Sequence, residues 1–178
     1  MPPAEARRGS TRVDPAWLLL LGAALLALRA GWGAWESFHP PQRAEQVRWV
    51  PYEEAEAVAR ATGKPVLYDF SADWCGPCNQ MKTEVFSDPD LAHALESDVV
   101  PVRVLDRQRE DGHNAAWVDS LQRTFAVTGF PTLVVWSPGN RRSRMTTGYG
   151  GKTATLGWVR QNAMAVRMVV APDGTPLP

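Results

Sequence analysis

The chain has 178 residues, is 44% hydrophobic, and balances 19 Lys+Arg against 19 Asp+Glu for a formal net charge of +0. That length allows one domain of ordinary size with about a third of the chain left over, and the balanced charge excludes the basic field of a nucleic-acid-binding protein. Two cysteines cannot build an all-cysteine zinc site, and His39, His93 and His113 lack the close spacing of a mixed one, so no metal is expected.

Residues 1–14 carry Arg7, Arg8 and Arg12 and read as a cytoplasmic n-region. Ala16 to Leu28 follows, thirteen residues without a charge, seven of them leucine. Extended through Arg29 to Trp35 the segment is about 30 Å long as a helix, enough for a bilayer. Arg29 opposes insertion by roughly 2.5 to 3.5 kcal/mol at a helix centre, but it lies off centre, where its side chain can snorkel. Trp17, Trp32 and Trp35 sit where interface anchors would. Residues 15–35 are therefore read as a transmembrane anchor, with a cleaved signal sequence as the alternative. Either reading exports the remainder, to the periplasmic side of a single-pass membrane protein or as a secreted periplasmic one. No cysteine follows the apolar run to carry a lipid.

Residues 36–46, with Pro40-Pro41, suit a stiff linker. A domain is expected over 47–166. Arg48-Trp49-Val50 predicts a short first strand, and Pro51 opens a helix that Gly63 closes. Pro65 to Ser71 is a short apolar run, the pattern of a buried strand. Directly after it stand the only two cysteines, in Trp74-Cys75-Gly76-Pro77-Cys78. If residues 76–86 are helical, positions i and i+3 share a face, so the two sulfurs can meet as a dithiol or a disulfide at a strand-to-helix junction. Asp88-Pro89 then reads as an N-cap with proline in the first turn. Val100, Val102 and Val104 alternate as in a strand. Val118, Leu121 and Phe125 have helical spacing, Thr132 to Trp136 is strand-like, Pro138-Gly139-Asn140 is a turn, and Arg144 to Tyr149 is its hairpin partner. Leu156, Val159 and Ala163 mark a last helix, and residues 167–178 are left as a tail. This order predicts an α/β fold, a mixed central sheet flanked by helices.

The run Val66-Leu67-Tyr68-Asp69-Phe70-Ser71-Ala72-Asp73-Trp74-Cys75-Gly76-Pro77-Cys78, with Gly129-Phe130-Pro131-Thr132-Leu133, resembles the active-site strand and proline loop of the thioredoxin fold. Within that family, Gly63-Lys64-Pro65-Val66 and Val85-Phe86-Ser87-Asp88-Pro89 are similar to the C-terminal domain of the membrane-bound periplasmic thiol:disulfide interchange reductases. The resemblance covers about residues 47–162 and implies a thiol-disulfide oxidoreductase with no cofactor beyond a redox-active Cys75-Cys78 pair.

Cys75, at the helix start, is the expected nucleophile, since free N–H groups there favour a thiolate. Cys78, one turn in and expected to be more buried, is the resolving thiol. Asp69 lies on the same side of its strand as Leu67; the resemblance implies proton exchange with Cys78, and the plainer alternative is an aspartate bonded to backbone amides. Trp74 is expected to shield the disulfide or simply to pack. For Pro131 the resemblance implies a cis bond that presents the Phe130 backbone to a substrate peptide. Gly76 and Pro77 in the turn, and Thr147 and Gly148 opposite it, complete the expected substrate-binding surface.

Three departures stand out. Ser71 occupies a position where thioredoxins commonly have tryptophan, Asn79 one where they have lysine, and Val99 to Leu105 contains no lysine to sit near the aspartate. The segment 106–126 is longer and more polar than its thioredoxin counterpart, either as a partner surface or as an extended loop and helix. The expected function is reduction of protein disulfides outside the cytoplasm, with protein thiol/disulfide substrates and a membrane electron donor. An oxidase or isomerase using the same residues, and a non-catalytic thioredoxin-like binding module, are the alternatives.

Overall fold

The computed structural model describes residues 15–38, 44–167, 169–170 and 176–177, in two units divided between Gln42 and Arg43, each considered by itself. The first contains one helix, α1, Pro15–Phe38. Every described side chain from Ala16 to Trp32 is exposed, Leu19 at 75% and Leu26 at 73%. The expected N-terminal helix is thus present, but among the described residues no helix is long and apolar enough to cross a membrane. Arg29, Gly22 and Gly31 dilute its leucines. The n-region, residues 1–14, lies outside the described residues.

The second unit is organised on β1, Val66–Ala72, buried at all seven positions. β2, Val100–Asp106, runs parallel to it on one side, and β3, Thr132–Trp136, antiparallel on the other. β4, Ser143–Thr147, pairs antiparallel with β3, giving the order β2-β1-β3-β4. A strand buried on both faces needs helices on both, and the period-2 alternation of β1 divides the core accordingly. Leu67 packs with Met81, Val85, Phe86, Leu95 and Val159, whereas Val66, Tyr68 and Phe70 pack with Ala55, Ala59, Val118 and Leu121.

These core residues identify the helices on each face. α2, Tyr52–Thr62, buries Ala55 and Ala59 and ends at Gly63, whose φ of 68° is the left-handed cap that glycine adopts without a Cβ clash. α3, Gly76–Met81, continues into one π-type turn, Lys82–Phe86. α4, Pro89–Asp98, and α7, Lys152–Arg167, complete that face. The short α5, Gln108–Asp111, precedes α6, Ala116–Thr124, which buries Val118 and Leu121. Beyond α7, two-residue strands β5, Val169–Val170, and β6, Pro176–Leu177, pair antiparallel.

Two expectations need correction. Arg48-Trp49-Val50 is not a strand: the Val50 N–H donates to the Pro101 carbonyl at 2.8 Å, but neither Pro101 nor Pro51 has an N–H to extend a ladder. Nor is the 36–46 stretch all spacer. The Gln46 and Val47 N–H groups both donate to the Phe86 carbonyl, and Glu45 is bonded into the domain through its side chain.

Asp88 caps α4 by accepting from the Asp90 and Leu91 N–H groups at 3.0 and 3.2 Å. Asp88→Ala is expected to cost about 1 kcal/mol in denaturant unfolding by removing that cap.

Candidate active site

β1 ends at Ala72, and the chain turns through Asp73 and Trp74 into α3, with the Cys75 N–H donating to the Ala72 carbonyl at 3.1 Å. Cys75 is the N-cap of α3, and Pro77 lies in its first turn, where a missing N–H costs no helical bond. Cys75 and Cys78 form a disulfide with their Cα atoms 5.2 Å apart. The Cys78 N–H donates to the Cys75 sulfur at 3.2 Å, so a helix N-terminal donor is already aimed at that atom.

Burial does not rank the two cysteines as expected: Cys75 is 4% exposed and Cys78 5%. Their surroundings differ instead. Cys75 lies between exposed Trp74 and exposed Gly76 and Pro77, whereas Cys78 lines a polar cavity of about 30 Å³ with Asp69, Ser71, Lys82, Arg103 and Leu105. That volume is enough to admit a water molecule.

The Phe130–Pro131 peptide bond is cis, and Phe130 packs against the Ala72, Cys75 and Cys78 cluster. Trp74 meets Phe130 edge to face at 6.0 Å, and Arg109 stands 5.5 Å from the Trp74 ring centroid. Thr147 and Gly148 are both exposed. Thr147 shares a 2.9 Å hydrogen bond with Thr132, and the Gly148 N–H donates to the Pro131 carbonyl at 2.7 Å with φ at 93°. The structure therefore brings Trp74, Cys75, Cys78 and Phe130 into one cluster and ties Thr147 and Gly148 to the neighbouring proline loop.

Asp69 is 1% exposed, and burial pushes its pKa up to about 6 from the usual 3.8; the positive charge of Arg103 opposes that rise and the negative charge of Glu45 adds to it. Arg103 Nε is 2.9 Å from Asp69 Oδ2, close enough for an ion pair, although its N–H is not aligned for a hydrogen bond. Asp69 Oδ1 and Ser71 Oγ are buried without a hydrogen-bond partner among the described residues. Asp69 thus lies between a cation and a cavity, and among the described residues no backbone amide bonds it.

Arg103 went unnoticed in the sequence because the expected partner was a lysine, and a lone arginine in a strand ordinarily faces solvent. The available signal was register: parallel pairing of β1 with β2 sets Arg103 beside Asp69. The polar segment 106–126 is also anchored at the site. Buried Asp106 accepts from the Gln108 backbone and from the Asn114 and Gln122 side chains, and Arg107 bridges Asp73 at 2.8 Å and Asp111 at 3.0 Å.

A mixed sheet between helices, a Cys-x-x-Cys disulfide at a strand-to-helix junction and a cis-proline beside it define a thioredoxin-fold protein with a redox-type disulfide. The thioredoxin-like domain family matches residues 52–163, and the chain belongs to that family. It is 34% identical over 131 residues to the thiol:disulfide interchange protein DsbD of Yersinia enterocolitica, a match covering 69% of this chain and 21% of that protein. The chain thus matches only about a fifth of that relative's length. A thioredoxin from Thermus thermophilus is 30% identical with a TM-score of 0.56, covering 68% of this chain and 90% of that one. The DsbH oxidoreductase, 23% identical with a TM-score of 0.58 over 70% of this chain and 89% of that one, shares the fold.

A carboxyl whose pKa is raised by folding stabilises the protein while protonated and loses that contribution as pH rises through the folded value. Asp69→Asn is therefore expected to be more stable than the parent at pH 7.5, by on the order of 2 to 3 kcal/mol. The difference should shrink as pH falls and vanish below about pH 3 when urea unfolding is compared across that range.

Proposed function

We propose that this chain is an extracytoplasmic thiol-disulfide oxidoreductase that reduces protein disulfides through Cys75 and Cys78. The observation that carries this reading is the disulfide at the start of α3, with the Cys78 N–H donating to the Cys75 sulfur. In the reduced protein that donor favours a thiolate on Cys75. The thiolate attacks one sulfur of a substrate disulfide, the substrate S–S bond breaks, and one substrate thiolate leaves. A mixed disulfide remains. Cys78 then gives up its proton and attacks the Cys75 sulfur, which restores the Cys75-Cys78 bond and expels the second substrate thiolate. The substrate gains two electrons and the protein loses them.

Asp69 is the acceptor for the Cys78 proton in this scheme, which its position on the cavity wall beside Cys78 supports. Ionised above about pH 6, it can take a proton where a carboxyl of ordinary pKa would be a weaker base. Trp74, Gly76, Pro77 and Phe130 form the surface around Cys75, and the resemblance implies strand-like pairing of the Phe130 backbone with the substrate. Gly76-Pro77 between the cysteines supports the reducing direction. A reductant in an oxidising compartment must be recharged, so the partner on the other side of the cycle is a membrane electron donor.

Residues 15–35 supply the localisation in this proposal, as a membrane anchor or as a signal sequence. The exposed leucines of α1 and the three arginines ahead of it support delivery to a membrane with the N-terminus on the cytoplasmic side.

Replacing Cys78 by Ser leaves the first attack possible and removes the second. Expression of Cys78→Ser in a native envelope is expected to accumulate high-molecular-weight, reductant-sensitive adducts on non-reducing gels. Cys75→Ser should form none; adducts on Cys75→Ser and not on Cys78→Ser would reverse the assignment.

A further inference from the structure

We infer that Glu45 and Arg103 are a positioning pair that holds Asp69 for proton exchange with Cys78, so that the segment ahead of the thioredoxin-like domain belongs to the active-site machinery. The inference rests on the thiol-disulfide reading above and deepens it. Arg103 projects from β2 with its side chain mostly buried, and its planar fork is divided between two carboxylates. Nη1 and Nη2 donate to Glu45 Oε1 and Oε2 at 3.1 and 2.8 Å, a bidentate pair. Nε, on the other edge, lies 2.9 Å from Asp69 Oδ2.

Glu45 is itself fixed by its neighbours. The Trp49 indole N–H donates to it at 2.7 Å, and Lys82 Nζ stands 3.2 Å away. The guanidinium also lies over the Trp49 ring, 4.0 Å from its centroid, with Phe86 at 5.3 Å. Lysine could not reproduce this arrangement, because it has one point charge and no second edge.

The division of the fork has a chemical consequence. A buried carboxylate that received both paired donors would be held ionised and would be a poor proton acceptor. Here Glu45 takes the paired donors, and Asp69 is left with the charge of Nε, 2.9 Å away and not aligned for a hydrogen bond. Burial opposes the charge on Glu45, but Arg103 and the hydrogen bonds from Arg103, Trp49 and Lys82 outweigh it and keep its carboxyl below the usual range. Glu45 therefore remains negative while Asp69 exchanges its proton. The charged and titratable groups facing Asp69 are Arg103 from β2, Glu45 from the preceding segment, Cys78 from α3 and Lys82 from the π-type turn, with Asp73 also on the cavity wall.

Arg103 favours the ionised form of Asp69 and Glu45 the protonated form, so removing each should move the titration in opposite directions. In the full-length reduced chain labelled with 13C-aspartate, the Asp69 carboxyl resonance is assigned by its loss in Asp69→Asn. Its midpoint should rise by about one pH unit in Arg103→Met and fall by about half a unit in Glu45→Gln. Arg103→Lys, which keeps the charge, should fold and titrate between the parent and Arg103→Met. The low-pH limb of insulin-disulfide reduction should move with each midpoint. Midpoints that coincide with the parent's, or that shift in the same direction in Arg103→Met and Glu45→Gln, while the parent reduces insulin, overturn this inference alone. A parent that does not reduce insulin at any pH overturns the underlying reading and this inference with it.

Discussion

A carboxylate in a strand that is buried at all seven positions is the constraint on which the rest of the site depends. Asp69 cannot be left there as an isolated charge, because an unpaired buried carboxylate costs several kcal/mol. The chain answers with one cation, shared, and with a cavity of about 30 Å³ that can admit a water molecule. Neither answer neutralises Asp69 completely, and its pKa of about 6 is the result. Stability at neutral pH is given up at the point where the proposed chemistry places a group able to exchange a proton.

The geometry of β1 connects that constraint to the disulfide. Its alternation sets Asp69 and Ser71 on the side of Leu67, which is the face covered by α3, α4 and α7. The same strand runs straight into the turn that carries Cys75, so the carboxylate and the cysteines are held by one rigid element and the helix that follows it. Ser71 matters for the same reason. A small hydroxyl at that position leaves room beside Cys78 for a polar cavity, where a large ring would fill space.

Much of this was legible in the sequence, because the relevant signals were local. The apolar run from Pro65, the cysteine spacing, the Asp88-Pro89 cap and the valine alternation of β2 each depend on neighbours within a few residues, and each formed the predicted element. What escaped was non-local. Arg103 and Glu45 are 58 residues apart in sequence, and nothing near either one marks the partner. Glu45 also fell in a stretch that composition describes well as linker, while its function there comes from Arg103, Lys82 and Trp49. The short strand at Arg48 to Val50 failed for a related reason: whether it pairs depends on the donors that Pro51 and Pro101 lack.

Other non-local contacts tie the segments on either side of the central strands to the site. The polar segment after β2 holds the active-site turn through Arg107 and Asp73 and places Arg109 against Trp74, and the segment before α2 holds Arg103. Family membership fixes the framework, whereas these contacts touch the Trp74 ring and the Asp69 partner on either side of the disulfide. In the proposed function these parts serve a reducing Cys75-Cys78 dithiol. Equilibration of the full-length chain with defined dithiothreitol buffers measures its reduction potential directly. A value near the thioredoxin end, about −270 mV, is the predicted result; a value near about −120 mV, or a disulfide that strong reductant leaves closed, would contradict it.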